Sequence, residues 1–263
     1  MHDTLVVLGG SGFLGTHVRR EAARHAVRLV ALGREEPLGR LAELRPRAIV
    51  CCSALSRLAD CRADPARARA VNAELPQRLA QASQELGARL VHVSTDLVFG
   101  GELAGSARYA EGAATDPRSE YGRTKALGEE LVLRANPAAL VVRCSLLGGD
   151  SFGRGLGAED SLYAAIARGE RPVCFEDEWR TPIDAAEAAR ALVLLALLRE
   201  PHGLLHLGGE ERLSRWEIGL RALHRAGLSA AHLRRGTRAE AGLASERPAD
   251  VSLDSARARE LGL

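Results

Sequence analysis

Thr4-Leu5-Val6-Val7-Leu8-Gly9-Gly10-Ser11-Gly12-Phe13-Leu14-Gly15 reads as a strand, a tight turn and the start of a helix. The first five residues are a short apolar run of the kind that forms a buried strand. Glycines at 9, 12 and 15 then turn the chain sharply into a helical stretch that continues to about His25. This spacing leaves bare backbone N–H groups and a helix N-terminus facing an anion, the arrangement that cradles the pyrophosphate of a dinucleotide. A glycine pattern alone is weak evidence; the strand before it and the helix after it supply the context it needs.

Further along, strand-like runs alternate with helical ones. Arg28–Leu32, Ala48–Cys52, Arg89–Ser94 and Ala139–Cys144 follow the first strand, with helices between most of them. Such alternation predicts an α/β protein with a doubly wound parallel sheet, a Rossmann fold, whose ligands bind at the carboxyl ends of the strands. Residues 1–150 are expected to form this dinucleotide-binding part. A smaller substrate-binding part is expected from 151–178 and 208–263, with 179–207 returning to the sheet through a helix at Ala185–Arg199.

Composition limits the partners. A net charge of +2 does not favour nucleic acid or an acidic membrane surface, and the longest apolar run, Ala191 to Leu198, is too short to span a bilayer. With so few residues ahead of the first strand, no signal peptide is expected. The cysteines at 51, 52, 61, 144 and 174 are odd in number and lack metal-ligand spacing. They read as reduced thiols of a cytoplasmic protein, with no metal expected.

The choice of cation at one position carries chemical information. Of 36 lysines and arginines only one is lysine, Lys125, and it follows Tyr121 by four residues in Tyr121-Gly-Arg-Thr-Lys125. Arginine is a wide planar fork, lysine a compact point charge on a flexible stem. On a helix, positions i and i+4 share a face, so the two side chains can enter one cleft. Pro117 and Ser119 mark a helix start and Asn136-Pro137 a stop. A free phenol titrates near ~10, and a nearby positive charge favours its ionised form, so Lys125 is expected to lower the Tyr121 pKa. Upstream, Ser94-Thr95-Asp96 leaves the Arg89 strand with two hydroxyls and a carboxylate, and Thr95 could hydrogen-bond a substrate oxygen beside Tyr121.

These residues together give the chain a family likeness. With Gly9-x-x-Gly12-x-x-Gly15, Ala70-Val-Asn72-Ala, Ser94-Thr-Asp-Leu-Val-Phe-Gly100, Tyr121-Gly-Arg-Thr-Lys125-Ala-Leu-Gly-Glu129 and Arg247-Pro-x-x-Val-Ser-Leu-Asp254, it resembles the extended short-chain dehydrogenase/reductases. Within them it looks like the dTDP-4-dehydrorhamnose reductase group. The resemblance implies catalysis by Thr95, Tyr121 and Lys125, with Tyr121 as proton donor and Lys125 holding the nicotinamide ribose. It implies cofactor contacts from Gly9, Ser11, Gly12, Phe13, Leu14 and Gly15, from Cys52 and Ser53, from Asn72 and Ser94, and again from Tyr121 and Lys125. Asp96, Arg180 and Arg247 are the expected substrate contacts, with Arg212 a further candidate, since arginine binds a diphosphate bidentately. Trp179 is expected at the domain junction.

Cofactor choice rests on Gly33-Arg34-Glu35-Glu36, after the second strand. Arg34 favours the extra phosphate of NADPH, while Glu35 and Glu36 keep NADH open. Leu97 stands where related 4,6-dehydratases carry a glutamate, which disfavours dehydration and leaves hydride transfer, or epimerisation as a variation. The nucleotide sugar implied by the family is the expected substrate. Two of the family's substrate stretches differ here, at Ser53–Ala59 and Cys144–Gly149, so another sugar or a non-sugar carbonyl stays open. So does a binding role like that of the methionine adenosyltransferase β subunit. Family members often form a homodimer; the sequence fixes no oligomeric state.

Overall fold

A computed structural model describes residues 4–34, 37–103, 105 and 107–263. The chain runs β1 (Thr4–Leu8), α1 (Phe13–Ala22), β2 (Arg28–Leu32), α2 (Pro37–Leu44), β3 (Ala48–Cys51), α3 (Leu58–Ala63), α4 (Pro65–Arg69), α5 (Leu75–Leu86), β4 (Arg89–Thr95), α6 (Glu120–Ala135) and β5 (Leu140–Cys144). It continues through β6 (Leu147–Gly148), α7 (Ala158–Ala167), β7 (Val173–Phe175), β8 (Trp179–Arg180), β9 (Ile183–Asp184), α8 (Ala185–Leu197) and β10 (Gly203–Leu207). It ends with β11 (Leu213–Ser214), α9 (Arg215–Arg225), β12 (Arg234–Gly236) and α10 (Ala256–Glu260).

Six strands form one parallel sheet in the order β10-β5-β4-β3-β1-β2. The fold class is the expected doubly wound α/β. Strand alternation explains the two cores. Leu5 and Val7 pack with Leu14, Val18 and the alanine-rich α8 on one face, while Val6 and Leu8 pack with Leu41, Leu79 and Val132 on the other. With both faces covered, β1, β3 and β5 are buried along their whole length.

The chain moves outward from β1 to β2, then crosses back to β3 on the other side of β1. That reversal opens a crevice at the carboxyl ends of β1 and β3, where open α/β sheets bind ligands. The smaller elements β7 with β12, and β8 with β11, lie outside the sheet. The sixth strand, β10, was not singled out in sequence. Its short Gly-Leu-Leu-His-Leu run follows α8 and the Arg199-Glu-Pro-His connection, and pairing with β5 identifies it as part of the sheet.

Two further differences bear on the site. Thr95 is the last residue of β4, paired with Cys144, rather than a loop residue beyond it. Asn72 lies in a one-turn π-helical segment, Ala70–Glu74, between α4 and α5. Such widened turns often reorient a side chain or carbonyl.

Candidate active site

At the crevice, Gly9 has φ +74, and a Cβ there would come within 2.7 Å of the Ser53 backbone nitrogen. Only glycine lets β1 and the β3 loop approach so closely. A Cβ on Gly15 would sit 2.1 Å from the Gly9 carbonyl oxygen, so the α1 start could not close on the turn. Gly12 is the N-cap of α1 and no side chain caps the first turn. Donors at the start of α1, with the macrodipole, make a seat for a phosphate. The Ser53 backbone lies against the same turn, and its buried hydroxyl has no partner among the described residues. These features fit the diphosphate of a dinucleotide.

Ser11 and Arg34 are exposed at the rim of this turn and past β2 respectively. Glu35 and Glu36 lie outside the described residues. Arg19 was not anticipated: its stem packs on Gly10, with Ala31 of β2 beside it, and Nη1 reaches the Gly10 carbonyl at 3.5 Å. Helix side chains lean toward the N-terminus, which is the rule that could have found it.

At the end of β4, Thr95 and Asp96 lie close enough to the Tyr121 phenol to shift its pKa. Asp96 is buried and accepts hydrogen bonds from Ser145 Oγ at 3.0 Å and Thr95 Oγ1 at 3.2 Å. It also pairs with Arg180 at 3.2 Å. Tyr121 stands in the first turn of α6, whose N-cap Ser119 accepts from the Gly122 N–H. A Cβ on Gly122 would meet the Leu97 carbonyl at 2.3 Å, so that glycine lets the first turn of α6 close onto the β4 end.

The pKa expected for Tyr121 is not what the geometry produces. Burial first, and then the Asp96 charge, push the phenol above its ordinary value, with Thr95 pulling the other way. Lys125 is not among the largest influences on it. Its ammonium is drawn onto the sheet, donating to Val93 O at 2.8 Å and to His92 Nε2 at 3.1 Å. Burial lowers the Lys125 pKa.

Several expected cofactor residues have their side chains tied elsewhere. Asn72 accepts from Leu55 N–H and donates to Leu55 O and Thr124 Oγ1, at 2.8, 3.0 and 3.1 Å. It pins the loop after β3 to α6. Ser94 donates to Glu129, itself paired with Arg143 inside the fold, so the Ser94 hydroxyl points away from the crevice. Cys52 is half-buried just past β3, its N–H bonded to Leu8 O at 3.0 Å, and burial raises its thiol pKa well above the usual value.

The arginines expected to hold substrate meet around Glu178, which sequence reading did not single out. Arg180 Nη2 lies 3.0 Å from Glu178 Oε1, and Arg247 donates to both carboxylate oxygens at 2.6 and 2.9 Å. Burial opposes ionisation of Glu178, but Arg180 and Arg247 outweigh it and bring its pKa to about 2. Among the described residues Arg180 Nε has no hydrogen-bond partner. A cavity of about 110 Å³ is lined by Leu97, Leu146, Arg180, Arg215 and Arg247. A larger one of about 490 Å³ shares Leu146 and Arg215 and extends to Leu162 and Cys174. Arg212 is held by Asp250 at 2.6 Å and lies 4.0 Å over the Trp179 ring. Trp179 pairs with Ser214, and its backbone N–H donates to Ala249 O.

Among the described residues no group of three or more metal-ligating side chains gathers, and no helix is long and apolar enough to cross a membrane.

A family model described as the RmlD substrate binding domain matches residues 3–263. The chain belongs to the RmlD family. It is 34% identical over 223 residues to a dTDP-4-dehydrorhamnose reductase of Mycobacterium tuberculosis, covering 81% of this chain and 72% of that protein. It is 27% identical over 278 residues to the methionine adenosyltransferase 2 subunit beta of Xenopus laevis, covering 98% of this chain and 82% of that one. The dTDP-4-dehydrorhamnose reductase of Bacillus anthracis, solved in complex with NADP, has the same fold at a TM-score of 0.89 and 22% identity, covering 100% of this chain and 94% of that one.

Proposed function

We propose that this RmlD-family chain is an oxidoreductase that uses NADPH to reduce the carbonyl of a nucleotide sugar resembling a dTDP-4-keto-6-deoxyhexose. The observation that carries this reading is the Tyr121 phenol beside Thr95 and Asp96 at the end of β4, in the same sheet whose β1 end bears the glycine turn. The reductase relative at 34% identity supports the substrate class.

A reductase needs a proton donor that is protonated at working pH, and a phenol with a raised pKa meets that need. Thr95 would orient the substrate oxygen, and Tyr121 would give it a proton as the carbon is reduced. The nicotinamide, when bound, supplies the hydride. The first turn of α1 and Ser53 would hold the diphosphate, with Arg34 and Arg19 on the adenosine side favouring NADPH over NADH. Leu97 lines the smaller cavity and cannot exchange a proton, which argues against dehydration at the same sugar.

The residue-level roles follow the same logic. Asp96 would act through its bonds to Thr95 and Arg180 rather than by gripping substrate directly. Arg180 and Arg247 would offer their remaining donors, Arg180 Nε above all, to the substrate diphosphate. A homodimer is an expectation from the family alone.

A second reading has one specific support. Both arginines proposed for the diphosphate are already paired with Glu178, as suits a chain that binds a dinucleotide and a protein partner without turnover. The match to the methionine adenosyltransferase 2 subunit beta along 98% of the chain agrees with it. NADPH oxidation with a dTDP-4-keto-6-deoxyhexose, beside Tyr121→Phe, separates the two. Tyr121-dependent turnover supports the reductase; cofactor binding without turnover on this or other carbonyls supports the binding subunit.

A further inference from the structure

Strand β4 runs between β3 and β5, and its period of two places His92 and Ser94 on the face toward α6. There they meet two helix residues four apart, Lys125 and Glu129. Glu129 is answered by Arg143, a complete ion pair. Among the described residues no carboxylate is in contact with Lys125. The residue is 1% exposed, and its ammonium is held by two neutral acceptors, the Val93 carbonyl and the His92 imidazole. His92 is 0% exposed, and its Nδ1 has no partner among the described residues.

We propose that His92 is the positioning residue of Lys125: its imidazole, neutral and with the proton on Nδ1, accepts from the ammonium at Nε2 and fixes the nitrogen on β4. The inference rests on the reading of Lys125 as a working part of a reductase site, and it deepens that reading.

The chemistry selects the tautomer. An ammonium has three donors and no acceptor, so the ring nitrogen it meets must carry a lone pair. A charged imidazolium would set two cations 3.1 Å apart in a buried site. Burial and the Lys125 charge both keep His92 well below its usual pKa, so the ring stays neutral throughout the working range. The opposite pressure falls on Lys125. Burial favours the neutral amine, while hydrogen bonds to the charged form favour the ammonium. Two acceptors occupy two of its three protons, leaving the third for a ligand hydroxyl. The other titratable groups acting on Lys125 are Cys51 and Cys52 at the β3 end, Cys144 at the β5 end and Glu129 on α6. Of these, Cys51, Cys52 and Cys144 have raised pKa values and are uncharged at neutral pH.

The rule that could have exposed this pair is the strand period. A lone histidine in an apolar strand is ordinary; one sharing its face with Ser94, against the helix that carries the only lysine, is a candidate partner.

The single lysine makes the test direct. Lysine labelled with 13C and 15N gives one side-chain ammonium signal, and its pH titration can be followed in the folded protein without turnover. His92→Leu, which removes the acceptor, is expected to lower the Lys125 pKa by one unit or more, and His92→Gln, whose side-chain oxygen can replace Nε2, to restore it. In NADPH oxidation, the alkaline limb of kcat/KM should move to lower pH in His92→Leu and return in His92→Gln, with KM for NADPH rising several-fold in the former. A wild-type titration in a folded His92→Leu, judged by circular dichroism, overturns the proposal. So does a His92→Leu unable to fold beside a His92→Gln that folds but titrates unlike wild type. A shifted Lys125 titration in a chain that oxidises NADPH with no carbonyl supports the positioning role and overturns only the reductase reading.

Discussion

Arg180 Nη1 lies 3.2 Å from Asp96 Oδ1, and both side chains are almost wholly buried. Glu178 on the other side of the guanidinium completes a charged chain beside the smaller cavity. Removing one member of a buried pair leaves an uncompensated charge and typically costs about 3–5 kcal/mol. Arg180→Met is therefore expected to destabilise the protein by about that amount, measured by denaturant unfolding. Arg212→Met, on a partly exposed arginine paired with Asp250, is expected to cost less.

Tyr121→Phe removes the proposed proton donor and little volume. A fall in kcat of about 10²–10⁴-fold is expected, with the NADPH dissociation constant changed little. An undiminished kcat would remove Tyr121 from the chemistry.

The pH dependence of reduction follows from the Tyr121 environment. The acid form is the active one, and burial and Asp96 raise its pKa, so Tyr121 contributes no loss of activity through neutral pH. Asp96→Asn takes away a charge that raises it. The phenol pKa then falls, and any alkaline limb set by Tyr121 moves to lower pH. A Tyr121 phenol titration, read by ultraviolet absorbance, that is unmoved or shifted to higher pH in Asp96→Asn would contradict this account.

Gly15→Ala adds a methyl 2.1 Å from the Gly9 carbonyl oxygen, a backbone atom that cannot swing aside. The expected result is loss of NADPH binding, read by fluorescence quenching, and a lowered Tm. Gly87→Ala is the comparison for stability alone: nothing lies near its Cβ, and its φ of +63 supplies only backbone strain.

Acid stability has a definite sign. The folded pKa of Glu178, about 2, lies below its ordinary value of 4.5, so its contribution is present above about 4.5 and lost as pH falls toward 2. A shift of this size corresponds to about 3 kcal/mol. Urea unfolding across that interval should show the loss, and Glu178→Gln should be less stable at neutral pH with a flatter dependence.

Arg34→Ala is expected to reduce the preference for NADPH over NADH by about tenfold, the value of one charge-assisted hydrogen bond at a phosphate. Comparing kcat/KM for the two cofactors checks it. Equal losses with both would place Arg34 away from the 2′-phosphate.

Much of the fold was legible because its signals are local. Apolar runs of four or five residues marked β1, β2 and β3 to within a residue, and Ser119 with Asn136 bounded α6. The i, i+4 spacing put Tyr121 and Lys125 on one helix, and the turn after β1 announced an anion seat. Charge pairing left no such local mark. Glu178 sits in the acidic run Glu176-Asp177-Glu178, and only packing buries the third of these between Arg180 and Arg247. Ser94 and Asn72 carry the residue types of a cofactor site, yet Glu129 and Leu55, distant in sequence, take their hydrogen bonds.

The sequence by itself determined the order of the first five sheet strands, the glycine turn and the presence of a tyrosine, a threonine and a lone lysine near one strand end, because periodicity and backbone freedom act over a few residues. Tertiary structure alone decided what surrounds each ionisable group. It set a buried carboxylate near Tyr121 and raised its pKa, and it gave Lys125 to His92, because desolvation and Coulomb energy depend on neighbours in space that chain position does not reveal.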